Sequence, residues 1–281
     1  MTGNIDPHKS PALCPRTILR SAWQQRSLVL DLARREVAGR YRGSILGLLW
    51  SFFNPLLMLA VYTFVFSVVF KARWNVNASS GSKTEFAMVL FAGLIVFNLF
   101  SECINRAPGL ILANTNYVKK IVFPLEILPF VTLASAAFHM VISFIVWLLF
   151  FVIIFGLPPV TLVLLPVVLI PLVLLTLGLS WLLASLGVYL RDVTQFITIL
   201  TTVLMFLSPV FYSVSSLPAA YRPFLRANPL TLTIEQARDV MIWGKAPDWA
   251  AWGAYLLASL LVAWLGFAWF QKTRKGFADV L

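Results

Sequence analysis

Long uncharged apolar runs alternate along this chain with short basic segments, and the alternation predicts its elements. Residues 45–70 contain no Asp, Glu, Lys or Arg. About 20 apolar residues at 1.5 Å rise cross a bilayer core, so this run predicts a membrane span. A polar stretch over 71–85 follows and reads as an outer loop. Residues 86–104 predict a second span, with Asn98 and Glu102 toward its inner end. Residues 127–190 again carry no charge. One helix of that length would reach roughly 96 Å, about three times the core thickness, so the run must fold back. Gly156-Leu157-Pro158-Pro159 is the strong breaker near its middle, because proline lacks an amide donor and restricts its predecessor. Third and fourth spans follow at 128–155 and 160–190, the latter kinked by Pro166 and Pro171. The fifth and sixth fall at 193–212 and 249–270. The expected fold class is an all-α polytopic membrane protein. It has six transmembrane helices, an amphipathic surface helix within residues 1–44, and short outer-face helices in a re-entrant-type loop, 213–248.

Composition sharpens this picture. Sixty per cent of residues are apolar and 12% charged, against roughly 25% charged in soluble domains. The net charge of +11 invites a nucleic-acid partner, but the basic residues sit between apolar runs rather than in one stripe. Assigned to alternating sides, fifteen Lys and Arg fall inside and seven outside. That excess predicts both termini in the cytoplasm. Cys14 and Cys103 lie far apart with no metal-ligand spacing, and no disulfide is expected. The first forty residues hold no signal-type apolar core.

Several segments stand out as candidates. On a helical wheel over residues 18–35, Leu19, Ala22, Val29, Leu32 and Ala33 share one half. Arg20, Gln24, Asp31, Arg34 and Arg35 share the other, while Gln25 and Arg26 break the pattern. Such a helix before a span lies along the membrane surface, as a lipid anchor or as a docking surface. Residues 114–129 mix apolar Val118, Ile121, Val122 and Phe123 into a polar inner loop, which points to burial in a partner or in the headgroup layer, or back on the spans. In the 213–248 connection Asn228 is placed to cap a helix over 230–242, with Pro229 in its first turn. A loop this long with its own helices is usually functional.

Aromatics make up 14% of the chain. Trp50, Trp147, Trp249, Trp252 and Trp269 sit at interface depth, as an aromatic belt does. Phe52, Phe53, Tyr62, Phe66 and Trp181 are candidates to line a sugar path, since aromatic faces stack on sugar C–H edges. Gly39, Gly43 and Gly47, each four apart, offer a close-packing face at the start of the first span. His139 reads as a hydrogen-bonded interhelical residue. The chain lacks a phosphate-cradling loop: Gly244-Lys245 has Asp239 where the first glycine is needed. No acid/base constellation for a membrane-embedded glycan transferase is visible. Neither is the buried charge of an ion-coupled carrier, though both classes remain alternatives.

The run from Arg40 to Ser51, followed by Asn54-Pro55-Leu56, resembles the start of the first span in membrane subunits of bacterial polysaccharide ABC exporters, the O-antigen and teichoic-acid export permeases. The resemblance continues through Val118 to Pro124, Leu190-Arg191-Asp192, Asn228-Pro229-Leu230 with Arg238-Asp239, and the tail from Gly276 to Leu281. It implies a permease homodimer in the bacterial inner membrane, bound to two copies of a separate nucleotide-binding ATPase. The chain itself would hold no cofactor; ATP and Mg would sit on the partner. The substrate would be a polyprenyl-linked polysaccharide, O-antigen first, with teichoic acid or capsule next. Coupling to the ATPase would fall on Arg34, Arg35, Asn116, Tyr117, Lys119, Lys120, Val122 and Phe123. Arg222, Asn228, Pro229 and Arg238 would form an outer gate.

Overall fold

The computed structural model describes residues 23–65, 83–119 and 123–281. Among them every regular element is helical. The chain opens with helix α1, Arg26–Tyr41. It runs past the end expected at Arg35, because Glu36 to Tyr41 holds no breaker and Val37 continues the buried face of Ala33. A bend with Gly43 at φ 85° and a 3-10 turn, Gly47–Leu49, lead into α2, Trp50–Tyr62. The second span, α3, is Lys83–Arg106. A short helix α4, Thr115–Lys119, lies in the following loop. Helix α5 is Leu128–Phe155 and α6 is Leu165–Tyr189. Between them Gly156 takes φ 86°, a value that strains any residue with a Cβ. Pro166 sits in the first turn of α6, where its missing donor is harmless, so it does not interrupt the helix.

Among the described residues five stretches are long and apolar enough to cross a membrane: Gly47–Val65, Thr84–Gly109, Leu125–Phe155, Val160–Tyr189 and Trp249–Val280. The sixth apolar helix, α7, Val193–Leu207, is shorter than the 193–212 span read from hydropathy. Ser208 is extended and Pro209 follows, so the helix stops and its chain turns back. The connection then forms α8, Arg222–Ala227, and α9, Pro229–Arg238, which continues as a π-helical turn, Asp239–Trp243. Gly244 closes that turn in the left-handed conformation. Helix α10, Trp249–Thr273, is capped by Asp248, and α11, Phe277–Val280, ends the chain.

Helix α3 is the axis of the bundle. In its most apolar stretch 83% of residues are buried, against 11% in the first span. It packs on α5, α6, α7 and α9. Helices α6 and α10 form the most extensive helix–helix contact among the described residues. A Cβ on Gly266 would strike the backbone of Gly178, and one on Gly178 the backbone of Ala263. Gly187 likewise lies against the backbone of Pro108. These glycines supply the close packing that small residues give membrane helices. Gly39, Gly43 and Gly47 do not: a Cβ on each meets open space, and the last two serve backbone turns.

Ion pairs and hydrogen bonds gather α1, the loop after α3, the α6–α7 turn and the tail at one end. Glu36 pairs with Arg106, Glu126 with Arg274, and the Tyr189 hydroxyl donates to Thr273 O. The Gly156 turn meets the 213–248 connection at the other end, where Thr161 donates to Val240 O.

Candidate functional site

Three regions carry the polar chemistry of this bundle. The first is a charged cluster where α1 crosses α3 and α5. Arg40 donates to Glu102 Oε1 at 2.6 Å. His139 Nδ1 lies 3.1 Å from both oxygens of the same carboxylate. Its Nε2 is 3.2 Å from the Tyr41 hydroxyl. Burial pushes that hydroxyl up from its ordinary pKa, with Arg40 opposing. Arg106, one turn beyond Glu102, pairs with Glu36 on α1. Two guanidinium groups therefore face two carboxylates, as charges near a membrane require.

Above this cluster opens a cavity of about 350 Å³ whose lining includes Tyr41, Asn54, Tyr62, Asn98, Glu102 and His139. Asn98 is the one exposed residue of α3 between 84 and 104. Asn54, on α2, is exposed as well.

The second region is a cleft of about 520 Å³ at the same end, lined by Arg35, Glu36, Arg106, Asn114, Tyr117 and Thr194. It brings Arg35 of α1 and Tyr117 of α4 together. Arg34 is exposed and lies 3.9 Å from Asp31, and Asn116 is exposed. Tyr117 stacks on Phe123 at 4.3 Å, and both pack with Val118 against the buried Phe267, Phe270 and Phe277. Tyr117, Val118 and Phe123 thus pack at least partly on the chain's own core. Lys120, Val122 and Phe66 lie outside the described residues, as does the side chain of Lys119.

The third region is the 213–248 connection. Asn228 caps α9 by accepting from Leu230 N, and its amide donates to Leu207 O and Ser208 Oγ. Pro229 fills the first helical position. Arg222 donates to Leu217 O and Ser215 O, fixing its own loop. Arg238 is no exposed gate residue. It is 3% exposed and donates to Val89 O at 2.9 Å, Val210 O at 2.8 Å and Pro209 O. Gly93 makes room for it: a Cβ there would collide with the guanidinium. The arginine is a clamp that ties α9 to α3 and to the end of α7.

The aromatic candidates divide. Tyr62 lines the cavity and contacts Phe211 at 6.2 Å. Phe53 is exposed on α2, and Phe52 is half-buried against it at 6.4 Å. Trp181 lines no path in this fold. It is fully buried between Phe130 and Phe267, and its indole donates to Glu126 O. Trp147 leaves the interfacial belt for the same reason, being fully buried with its indole on Met88 O. The sequence reading missed the cluster as a unit, because Arg40, Glu102 and His139 are far apart in the chain. The signal was present in each singly: an ionisable residue within or beside an apolar run.

The ABC-2 type transporter family profile matches residues 28–242. The chain is 29% identical over 264 residues to the O-antigen export system permease protein RfbA of Myxococcus xanthus, covering 93% of this chain and 98% of that one. A Klebsiella pneumoniae protein of the same name is 23% identical over 90% of this chain and 95% of its own length. The polysialic acid transport protein KpsM of Escherichia coli is 24% identical over 91% of this chain and 97% of its own.

Proposed function

From the premise that this chain belongs to the ABC-2 type transporter family, we propose that it is the permease subunit of an exporter that moves a lipid-linked polysaccharide across the bacterial inner membrane. O-antigen is the first choice of polymer. Two permease chains pair, two copies of a separate ATPase bind them, and both termini lie in the cytoplasm. The permease holds no nucleotide; ATP and Mg belong to the partner. What carries this reading is similarity over nearly the whole chain to proteins named as O-antigen export permeases.

The geometry supports a division of labour. The end that holds α1, α4 and the tail is the basic end, where the ATPase docks. Arg35 and Tyr117 meet across one cleft there, so a partner touching both moves α1 and the α3–α5 loop together. The Glu36–Arg106 and Arg40–Glu102 pairs pass that motion to α3, the axis of the bundle. Polymer passes along the exposed face of α2, beside the cavity under Tyr62.

Deleting the gene should abolish surface polymer while lipid-linked polymer accumulates inside, and this chain alone should restore export. Normal surface polymer in the deletion strain would refute the reading.

A further inference from the structure

The cavity between α2, α3 and α5 holds more hydrogen-bonding capacity than the chain uses. Asn54 and Asn98 both line it, both are exposed, and neither carboxamide meets a partner among the described residues. Thr198 and Thr202, exposed on α7, differ: each hydroxyl donates to the carbonyl one turn back and is satisfied within its helix. Pro55 adds an acceptor. It sits inside α2 and has no N–H, so the Ser51 carbonyl cannot receive the helical bond from residue 55. Ser51 and Pro55 line the same cavity.

Unsatisfied amides at this depth cannot face hydrocarbon without a large penalty. They need either water and a polar ligand or another protein surface. The volume of about 350 Å³ falls in the range of small-molecule sites, ~300–1,000 Å³. The lining combines carboxamides, two phenol rings and apolar side chains, with a charged floor already neutralised by the Arg40–Glu102 pair. That chemistry suits a ligand with many hydroxyls and no net charge. An anion would find no free cation among the described lining residues.

We propose that this cavity binds one uncharged sugar residue of the exported polymer. The Asn54 and Asn98 carboxamides and the Ser51 carbonyl hold its hydroxyls, and the Tyr62 ring meets its C–H face. The proposal rests on the export reading above and adds a site and a substrate class to it.

The experiment compares three chains in the deletion strain: wild type, the Asn54→Leu/Asn98→Leu double variant, and Asn98→Gln. Surface polymer, permease extracted in detergent and its dimeric fraction are measured for each. Leucine is well tolerated in spans, so the double variant should be recovered at the wild-type level. Its export should fall about tenfold, the effect of losing two or more hydrogen bonds. Asn98→Gln keeps the amide and should retain most export. The wild-type polymer should have repeats free of carboxylate, phosphate and sulfate. Unchanged export in the double variant overturns the site. So does loss of dimer in step with export, which would assign the amides to contact between copies. An acidic group in every repeat overturns the substrate class. Failure of the wild-type chain to restore any polymer overturns the export reading itself, and this proposal with it.

Discussion

Arg238 brings a charged group into a fully enclosed site, and three backbone carbonyls meet it there. Val89 O already accepts its helical bond within α3, but Pro209 O and Val210 O lie outside any helix and would otherwise be buried acceptors without a donor, at about 1–3 kcal/mol apiece. Arg238→Met should therefore lower the unfolding temperature of the detergent-solubilised protein. Arg238→Lys should rescue little, because an ammonium lacks the planar fork that reaches carbonyls on separate segments. Retained stability in both variants would deny the clamp. Trp181 makes the complementary case. Its indole bridges to Glu126 O in a fully packed pocket, so Trp181→Ala should cost about 3–5 kcal/mol and reduce extracted protein and export together. Loss of export with full recovery of protein would return Trp181 to the polymer path. Sequence alone put both residues on functional surfaces, since an arginine in an outer loop and a tryptophan in a span look alike whether they face solvent or core. Burial is a tertiary property, and no local pattern encodes it.

At the scale of elements, uncharged runs and prolines carried most of the fold. The third span was read at 128–155 and the helix is Leu128–Phe155. The turn at Gly156 was equally plain, because chain length forced a reversal and only one breaker was available. The fifth span was legible at its start, Val193, but not at its end. Hydropathy continues to Tyr212, yet the helix ends at Leu207, because Pro209 and the demands of the following connection override an apolar run. Helix contacts were misplaced for a similar reason. Glycines spaced by four at 39, 43 and 47 matched a packing motif, but Gly39 faces open space on α1 and the other two serve turns, while Gly178 and Gly266, unremarkable in sequence, let α6 and α10 touch backbone to backbone. Gly266→Leu should push those helices apart and sharply reduce recovered protein, whereas Gly39→Ala should leave it unchanged. Equal recovery of the two variants would contradict this account of the α6–α10 contact.

For the whole molecule the question is how a partner's motion enters the bundle. Helix α1 touches the rest through α5 and through ion pairs to α3, with Glu36 on Arg106 and Arg40 on Glu102. The Glu36–Arg106 pair is partly solvated, so it adds little stability, and its removal should leave the fold intact. It still joins the surface helix to the most buried span. Coupling should therefore suffer where stability does not. In a complex reconstituted with the co-encoded ATPase, Glu36→Arg and Arg106→Glu should each leave assembly in place but lower export per ATP hydrolysed. The double exchange restores an opposite-charge pair and should recover much of the loss, a signature of direct interaction between the two positions. The purified permease alone should hydrolyse no ATP in any variant, since it has no phosphate-cradling loop. If the double exchange is as impaired as the two single changes combined, the pair does not transmit motion. The link from α1 to α3 then runs through the Arg40–Glu102–His139 cluster alone.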